Sequence, residues 1–184
     1  MTGFSSLDGE QTFPWLPSGP ALLFAPADRP ERFQKAAERS DMVIIDLEDG
    51  AAVDNHEQAR ANIINNPLDP ETTILRITGP GTPTFAEDVA FARACDYDIV
   101  MVPKIRDSIP AELEGLKIIA MIETPQAMIN IQQIAMHPDV VGLFWGAEDL
   151  TAELGGVSSR QSVDENPRRH YRDPQRLARA LVQV

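Results

Sequence analysis

Only one cysteine, Cys95, occurs in the 184 residues. An intrachain disulfide framework and a thiolate metal cluster are therefore excluded, and a reducing cytoplasm is the compartment expected. Basic residues are scarce as well: 16 Lys and Arg stand against 28 Asp and Glu, for a formal net charge of −12. That balance argues against a nucleic-acid partner, because phosphate binding draws its affinity from clustered cations. No apolar run approaches the roughly 20 residues that a membrane-spanning helix needs, so no membrane association is expected. The first twenty residues also lack the basic start and continuous apolar stretch of a secretory signal. What is present is ample core material, 43% hydrophobic and 24% charged, in a chain long enough for one globular unit.

The apolar residues follow a beat of strand and helix. β-type runs begin near Ala21, Met42, Thr72, Asp98, Lys117 and Val140, at intervals of 21, 30, 26, 19 and 23 residues that each leave room for one helix. Helices are expected at 30–39, 55–65, 84–95, 125–136 and, briefly, 110–115. Pro30 and Pro125 fall in first turns, and Asp54 and Thr84 stand as caps before acidic residues. The runs VVGLFW, IVMVP and KIIAMI are apolar at every position, as parallel strands covered on both faces must be.

The expected architecture is an α/β barrel of the TIM type, with residues 1–20 as a flexible lead-in and 21–184 as a single domain. A polar segment at 155–174, rich in Gly, Ser, Arg and Asp, reads as a loop, with a helix starting at 174–184. A full barrel needs about 250 residues, and the rhythm here gives only about six βα units, so the barrel is expected to be truncated and incomplete. A six-stranded doubly wound sheet is the competing arrangement, and strand order separates the two.

Six of the runs end in polar residues that packing does not require: FAPADRP at 24–30, DLEDG at 46–50, Arg76, Lys104, Glu123, and Glu148 with Asp149. A parallel barrel gathers its strand C-termini on one face, where such residues converge on one ligand. Glu123 and Asp149 end consecutive strands 26 residues apart. Two carboxylates suit Mg²⁺, a hard cation that keeps waters and takes its remaining ligands from substrate. The plainer alternative is helix capping, by Glu123 ahead of Thr124 and Pro125 and by Asp149 ahead of a turn at 150–154.

Arg76 follows Ile74 and Leu75, where a guanidinium is costly unless it meets an anion, and its fork can grip a substrate carboxylate at two points. Its alternative partners are Asp46, Glu48 and Asp49. Alternation within DLEDG sends these acids to both pleat faces, so at least one points into the mouth, and Glu48 and Asp49 are the candidates to orient the arginine and bound waters for catalysis. Lys104 is a weaker candidate, since strand-end lysines are commonly solvated or paired.

Taken in order, FAPADRPERFQKA at 24–36, DMVIIDLEDGAAV at 41–53, LRI at 75–77, VMVPK at 100–104, IAMIETPQAM at 119–128 and GLFWGAEDLTAELGG at 142–156 resemble the citrate lyase beta subunit and its relatives. The resemblance covers about residues 21–184, and it implies a TIM barrel of the HpcH/HpaI aldolase superfamily. It further implies an oligomeric, Mg²⁺-dependent enzyme that makes or breaks a carbon–carbon bond between an oxo acid and an acyl thioester. Glu123 and Asp149 would be the metal ligands, Arg76 the carboxylate clamp, and Arg29 and Lys35 would lie near the coenzyme A phosphates. Citryl-CoA cleavage to acetyl-CoA and oxaloacetate leads, with homo-oligomeric assembly expected. Two further roles compete: a noncatalytic barrel subunit that binds a CoA ester or pairs with a complete barrel, and an aldolase acting on free 2-oxo acids. No residue stands out as the proton donor to the product enolate.

Overall fold

The computed structural model describes residues 15–49, 55–157, 160–162 and 169–171. Within them the chain alternates β1 (Leu22–Pro26), α1 (Phe33–Ala37), β2 (Met42–Asp46), α2 (His56–Asn65), β3 (Thr73–Arg76), α3 (Phe85–Ala94), β4 (Ile99–Val102) and β5 (Lys117–Ile122). It continues through α4 (Pro125–Ile129), α5 (Ile131–Ala135), β6 (Val140–Trp145) and α6 (Ala147–Glu153).

The first six strands form one sheet in the order β1-β2-β3-β4-β5-β6, every neighbouring pair parallel. Each crossover therefore advances one strand in the same direction. A doubly wound sheet reverses direction at a switch point, and no reversal occurs here. The fold is of the TIM-barrel type, with the sheet left unclosed. β1 and β6 do not pair with each other, yet Phe24 and Phe144 meet edge-on with ring centroids 6.0 Å apart. The sheet thus curls far enough for its two edge strands to touch through the interior.

Strand alternation divides the core into two clusters. Met42, Ile44, Ile74, Ile99, Met101, Ile119 and Met121 pack inside the curl, with Trp15 and Phe144 against them. Val43, Ile45, Leu75, Val100, Val102, Ala120 and Ile122 point outward onto Phe33, Ala59, Ile63, Phe85, Val89 and Ala127 of the helices. Burial of both faces explains the continuous apolar runs of β2 to β5, each such side chain contributing about 1.5–3 kcal/mol. The run VVGLFW of the edge strand β6 is only half-buried throughout, and β1 leaves Leu23 and Phe24 exposed. Alternation also assigns the polar ends: Asp46, Arg76 and Glu123 continue the inward series 42–44, 74 and 119–121.

Local structure departs from the expected helices in four places, the first being 30–39, where a 3₁₀ turn at Pro30–Arg32 runs into the short α1. The stretch expected at 125–136 is two helices, because Asn130 takes φ −99° and ψ 13° between them and its side chain bonds Gln126 O and Asp107. At 110–115 only a 3₁₀ turn forms, Ala111–Leu113. Thr84 occupies the N-cap of α3 without capping it; its hydroxyl instead donates to Thr78 Oγ1 at 3.2 Å. Asp54 lies outside the described residues, as do 1–14 of the expected lead-in and the helix expected at 174–184. Within the polar segment, β7 (Arg160–Ser162) and β8 (Arg169–Tyr171) pair antiparallel.

A candidate metal and anion site at the strand ends

Arg76 and Asp46 are register partners on adjacent strands. The guanidinium donates Nε to Asp46 Oδ1 at 2.7 Å and Nη2 to Asp46 Oδ2 at 2.6 Å. Nη2 also reaches Asp49 Oδ2 at 2.9 Å, Nη1 lies 2.9 Å from Glu48 Oε2, and the group sits 4.9 Å over the Phe24 ring. Strict alternation would have sent Glu48 and Asp49 to opposite faces. Both return to Arg76 because β2 ends at Asp46, whose Oδ1 accepts the Glu48 N–H at 3.0 Å and turns the chain inward. Burial works against the Arg76 charge, but its bond to Asp46 and the charges of Asp46, Glu48 and Asp49 outweigh that and raise its pKa. Burial pushes the Glu48 carboxyl up to about 7, with Arg76 pulling the other way.

The second half of the site is built by β4, β5 and α6. Glu123 is fully buried, and its Oε1 accepts the backbone N–H of Lys104 at 2.8 Å. Lys104 holds φ 54°, the left-handed region, which costs a non-glycine residue on the order of 1 kcal/mol. Gly79 leaves it room, since a Cβ there would stand 3.0 Å from Lys104 Cβ. The Lys104 ammonium hydrogen-bonds Asp149 Oδ1 and lies 3.8 Å from Glu123 Oε1. The other Glu123 oxygen, Oε2, is buried with no hydrogen-bond partner. It rests against Gly146, where an added Cβ would overlap it.

Burial raises the Glu123 pKa, the Lys104 N–H and ammonium opposing. For Lys104 burial opposes the charge, but the Asp149 hydrogen bond and the Glu123 and Asp149 charges prevail and raise its pKa.

Neither carboxylate is occupied with helix capping in the way its sequence position allowed. Thr124 caps α4, its Oγ1 accepting the Ala127 N–H at 3.0 Å. Asp149 lies within α6, which begins at Ala147, so no turn starts behind it. Both acids are thereby brought onto one ammonium. Among the described residues no group of three or more His, Cys, Asp and Glu is arranged to hold a metal. A cation here would have two protein carboxylates and would draw its other ligands from water or substrate, which is the habit of Mg²⁺. The orphaned Glu123 oxygen and the all-oxygen donor pair fit that ion.

Arg29 follows β1 and Lys35 lies on α1. Arg29 is exposed and pairs with Asp28 at 3.7 Å. Lys35 lines a hollow of about 280 Å³ on the flank of β1 and α1, together with Arg32 and Arg39. The sequence offers Asp46 as an alternative partner of Arg76 and Lys104 as a weaker candidate paired with an acid, and the structure makes both pairings, Arg76 with Asp46 and Lys104 with Asp149. The signal for Asp46 was its place one strand from Arg76; for Lys104 it was a cation directly behind Pro103 at a strand end.

Residues 21–165 match the family described as HpcH/HpaI aldolase/citrate lyase. The chain belongs to this family. Over 166 residues it is 43% identical to the citrate lyase subunit beta-like protein of Mycobacterium tuberculosis, covering 90% of this chain and 59% of that protein. It is 31% identical over 191 residues to an L-malyl-CoA/beta-methylmalyl-CoA lyase of Cereibacter sphaeroides, covering 87% of this chain and 60% of the lyase. The crystal structure of CitE from Mycobacterium tuberculosis in complex with magnesium, acetoacetate and coenzyme A superposes with a TM-score of 0.82 at 42% identity, covering 90% of this chain and 61% of CitE. The chain thus spans about 59% of the length of the M. tuberculosis relative. Among the described residues no helix is long and apolar enough to cross a membrane.

Proposed function

We propose that this chain works as a Mg²⁺-dependent carbon–carbon lyase on a 3-hydroxyacyl-CoA thioester, with citryl-CoA as the leading substrate and malyl-CoA as its near neighbour. The observation that carries the reading is the convergence of Glu123 and Asp149 on one point, in a mouth whose other cation, Arg76, faces the same way. Membership of the HpcH/HpaI family, together with the magnesium and coenzyme A bound by the CitE of M. tuberculosis, supports it.

Glu123 and Asp149 would hold Mg²⁺, which supplies Lewis-acid polarisation of the substrate oxygens when bound. Arg76 orients the distal carboxylate of the substrate. Its strong fork to Asp46 keeps the guanidinium in place, while the bond to Asp49, whose side chain is 76% exposed, is the one a substrate carboxylate replaces most cheaply. Glu48, held near neutrality by burial, is suited to take the 3-hydroxyl proton. Loss of that proton drives cleavage of the C2–C3 bond, giving an oxo acid such as oxaloacetate and a thioester enolate that is then protonated to acetyl-CoA. Lys35, flanked by Arg32 and Arg39, and the exposed Arg29 offer positive charge to the coenzyme A phosphates. The protein assembles as a homo-oligomer in a reducing cytoplasm in this reading.

The test is an assay of citryl-CoA, malyl-CoA, citramalyl-CoA and free 2-oxo acids, each with Mg²⁺ and with EDTA. Metal-dependent release of acetyl-CoA is expected. Turnover of free oxo acids alone would make the protein an aldolase instead, and CoA-ester binding without turnover would make it a noncatalytic subunit.

A further inference from the structure

We infer that Lys104 is a positioning residue whose ammonium competes with the divalent cation for Glu123 and Asp149 and so sets how tightly that cation is held. The inference rests on the metal assignment proposed above. Two carboxylates from separate elements, the end of β5 and the first turn of α6, repel one another unless a cation lies between them, and one of the two is fully buried. The Lys104 ammonium is that cation, bonded to Asp149 and 3.8 Å from Glu123 Oε1. A Mg²⁺ ion demands carboxylate oxygens at about 2.0–2.1 Å and cannot share the same gap with an ammonium.

Lys104 is anchored so that its two functions separate. The backbone N–H holds Glu123 Oε1 at 2.8 Å whatever the side chain does. The ammonium ends a flexible four-carbon stem and can swing out. The left-handed backbone at φ 54° and the close floor at Gly79 direct that stem across the mouth. Arrival of the divalent ion therefore frees the ammonium without releasing the Glu123 carboxylate, and leaves a positive charge beside the ligands.

Calorimetric Mg²⁺ titration of the wild type, Lys104→Met and Lys104→Gly tests this, with Glu123→Gln as control. Both Lys104 variants should bind Mg²⁺ about tenfold more tightly, since removing one positive charge beside the ion strengthens its attraction. The glycine variant keeps the N–H and accepts the left-handed backbone, so it decides the matter where the methionine variant does not fold. In the wild type, acetylation of Lys104 by a soluble active ester, read by mass spectrometry, should rise as Mg²⁺ saturates. Equal or weaker Mg²⁺ binding in both variants, or labelling that does not change with Mg²⁺, would overturn the competition. Undiminished Mg²⁺ binding in Glu123→Gln would overturn the metal assignment instead, and no binding by any protein would overturn both.

Discussion

Asp46 and Arg76 face each other on neighbouring parallel strands and close a two-point fork, 2.7 and 2.6 Å long, inside the curl of the sheet. Asp46 thereby does two jobs, holding the guanidinium rigid and turning Glu48 and Asp49 toward it through its bond to the Glu48 N–H.

Arg76→Lys keeps the charge but cannot span both Asp46 oxygens while reaching Glu48 and Asp49. Leaving buried carboxylates partly unpaired should cost about 3 kcal/mol in urea unfolding. Turnover of the acyl-CoA substrate should fall by about 100-fold or more, because the substrate carboxylate is no longer held in register. A lysine variant with wild-type stability and kinetics would show that the fork has no such role.

Gly146→Ala places a methyl group where Glu123 Cβ and Oε2 already sit. The backbone φ of −101° suits alanine, so any effect is due to this overlap. Mg²⁺ affinity should drop, and the melting temperature should fall by an amount matching about 1–3 kcal/mol. Unchanged Mg²⁺ binding in a folded variant would remove the Glu123 carboxylate from the metal site.

Asp88 anchors a separate network between α2 and α3. Fully buried, it accepts from Arg60 Nη1 at 2.8 Å and from the Thr78 N–H and hydroxyl at 3.1 and 2.8 Å. Asp88→Ala strands all three donors and should cost about 3–5 kcal/mol of unfolding free energy. Mg²⁺ affinity should be unaffected in protein that still folds. Loss of metal binding without loss of stability would contradict this placement.

Glu48 makes stability depend on pH in an unusual sense. Its folded pKa of about 7 stands above the ordinary 4.5, so between those values the folded state keeps a proton that the unfolded chain gives up. Its contribution to stability is therefore fully present below the lower value and is lost as pH rises through the upper one. Glu48→Gln does not titrate, and the wild type should lose up to about 3 kcal/mol more than this variant across the window. Urea unfolding in EDTA on either side of the window measures the difference; identical pH slopes would place Glu48 in ordinary solvent.

The βα rhythm, the parallel sheet and the strand-end acids could be read along the chain because each depends on a local period: two for a strand, about 3.6 for a helix. Helix details are less legible where side chains find partners beyond the local period, as Thr84 does with Thr78 and Asn130 with Asp107. The motif DLEDG announced acids near a cation, but alternation alone would have split Glu48 from Asp49. The Asp46 turn that reunites them needs a hydrogen bond that no spacing encodes.

By itself, then, the amino-acid order determined which residues stand at the strand ends and which pleat face Asp46, Arg76 and Glu123 occupy, since alternation is a property of the strand. The tertiary structure decided that the strands follow one another without reversal and that the sheet curls until Phe24 meets Phe144. It also decided that Lys104, rather than a helix end, stands between Glu123 and Asp149. Those outcomes depend on register and curvature, which are settled by packing among residues far apart in the chain.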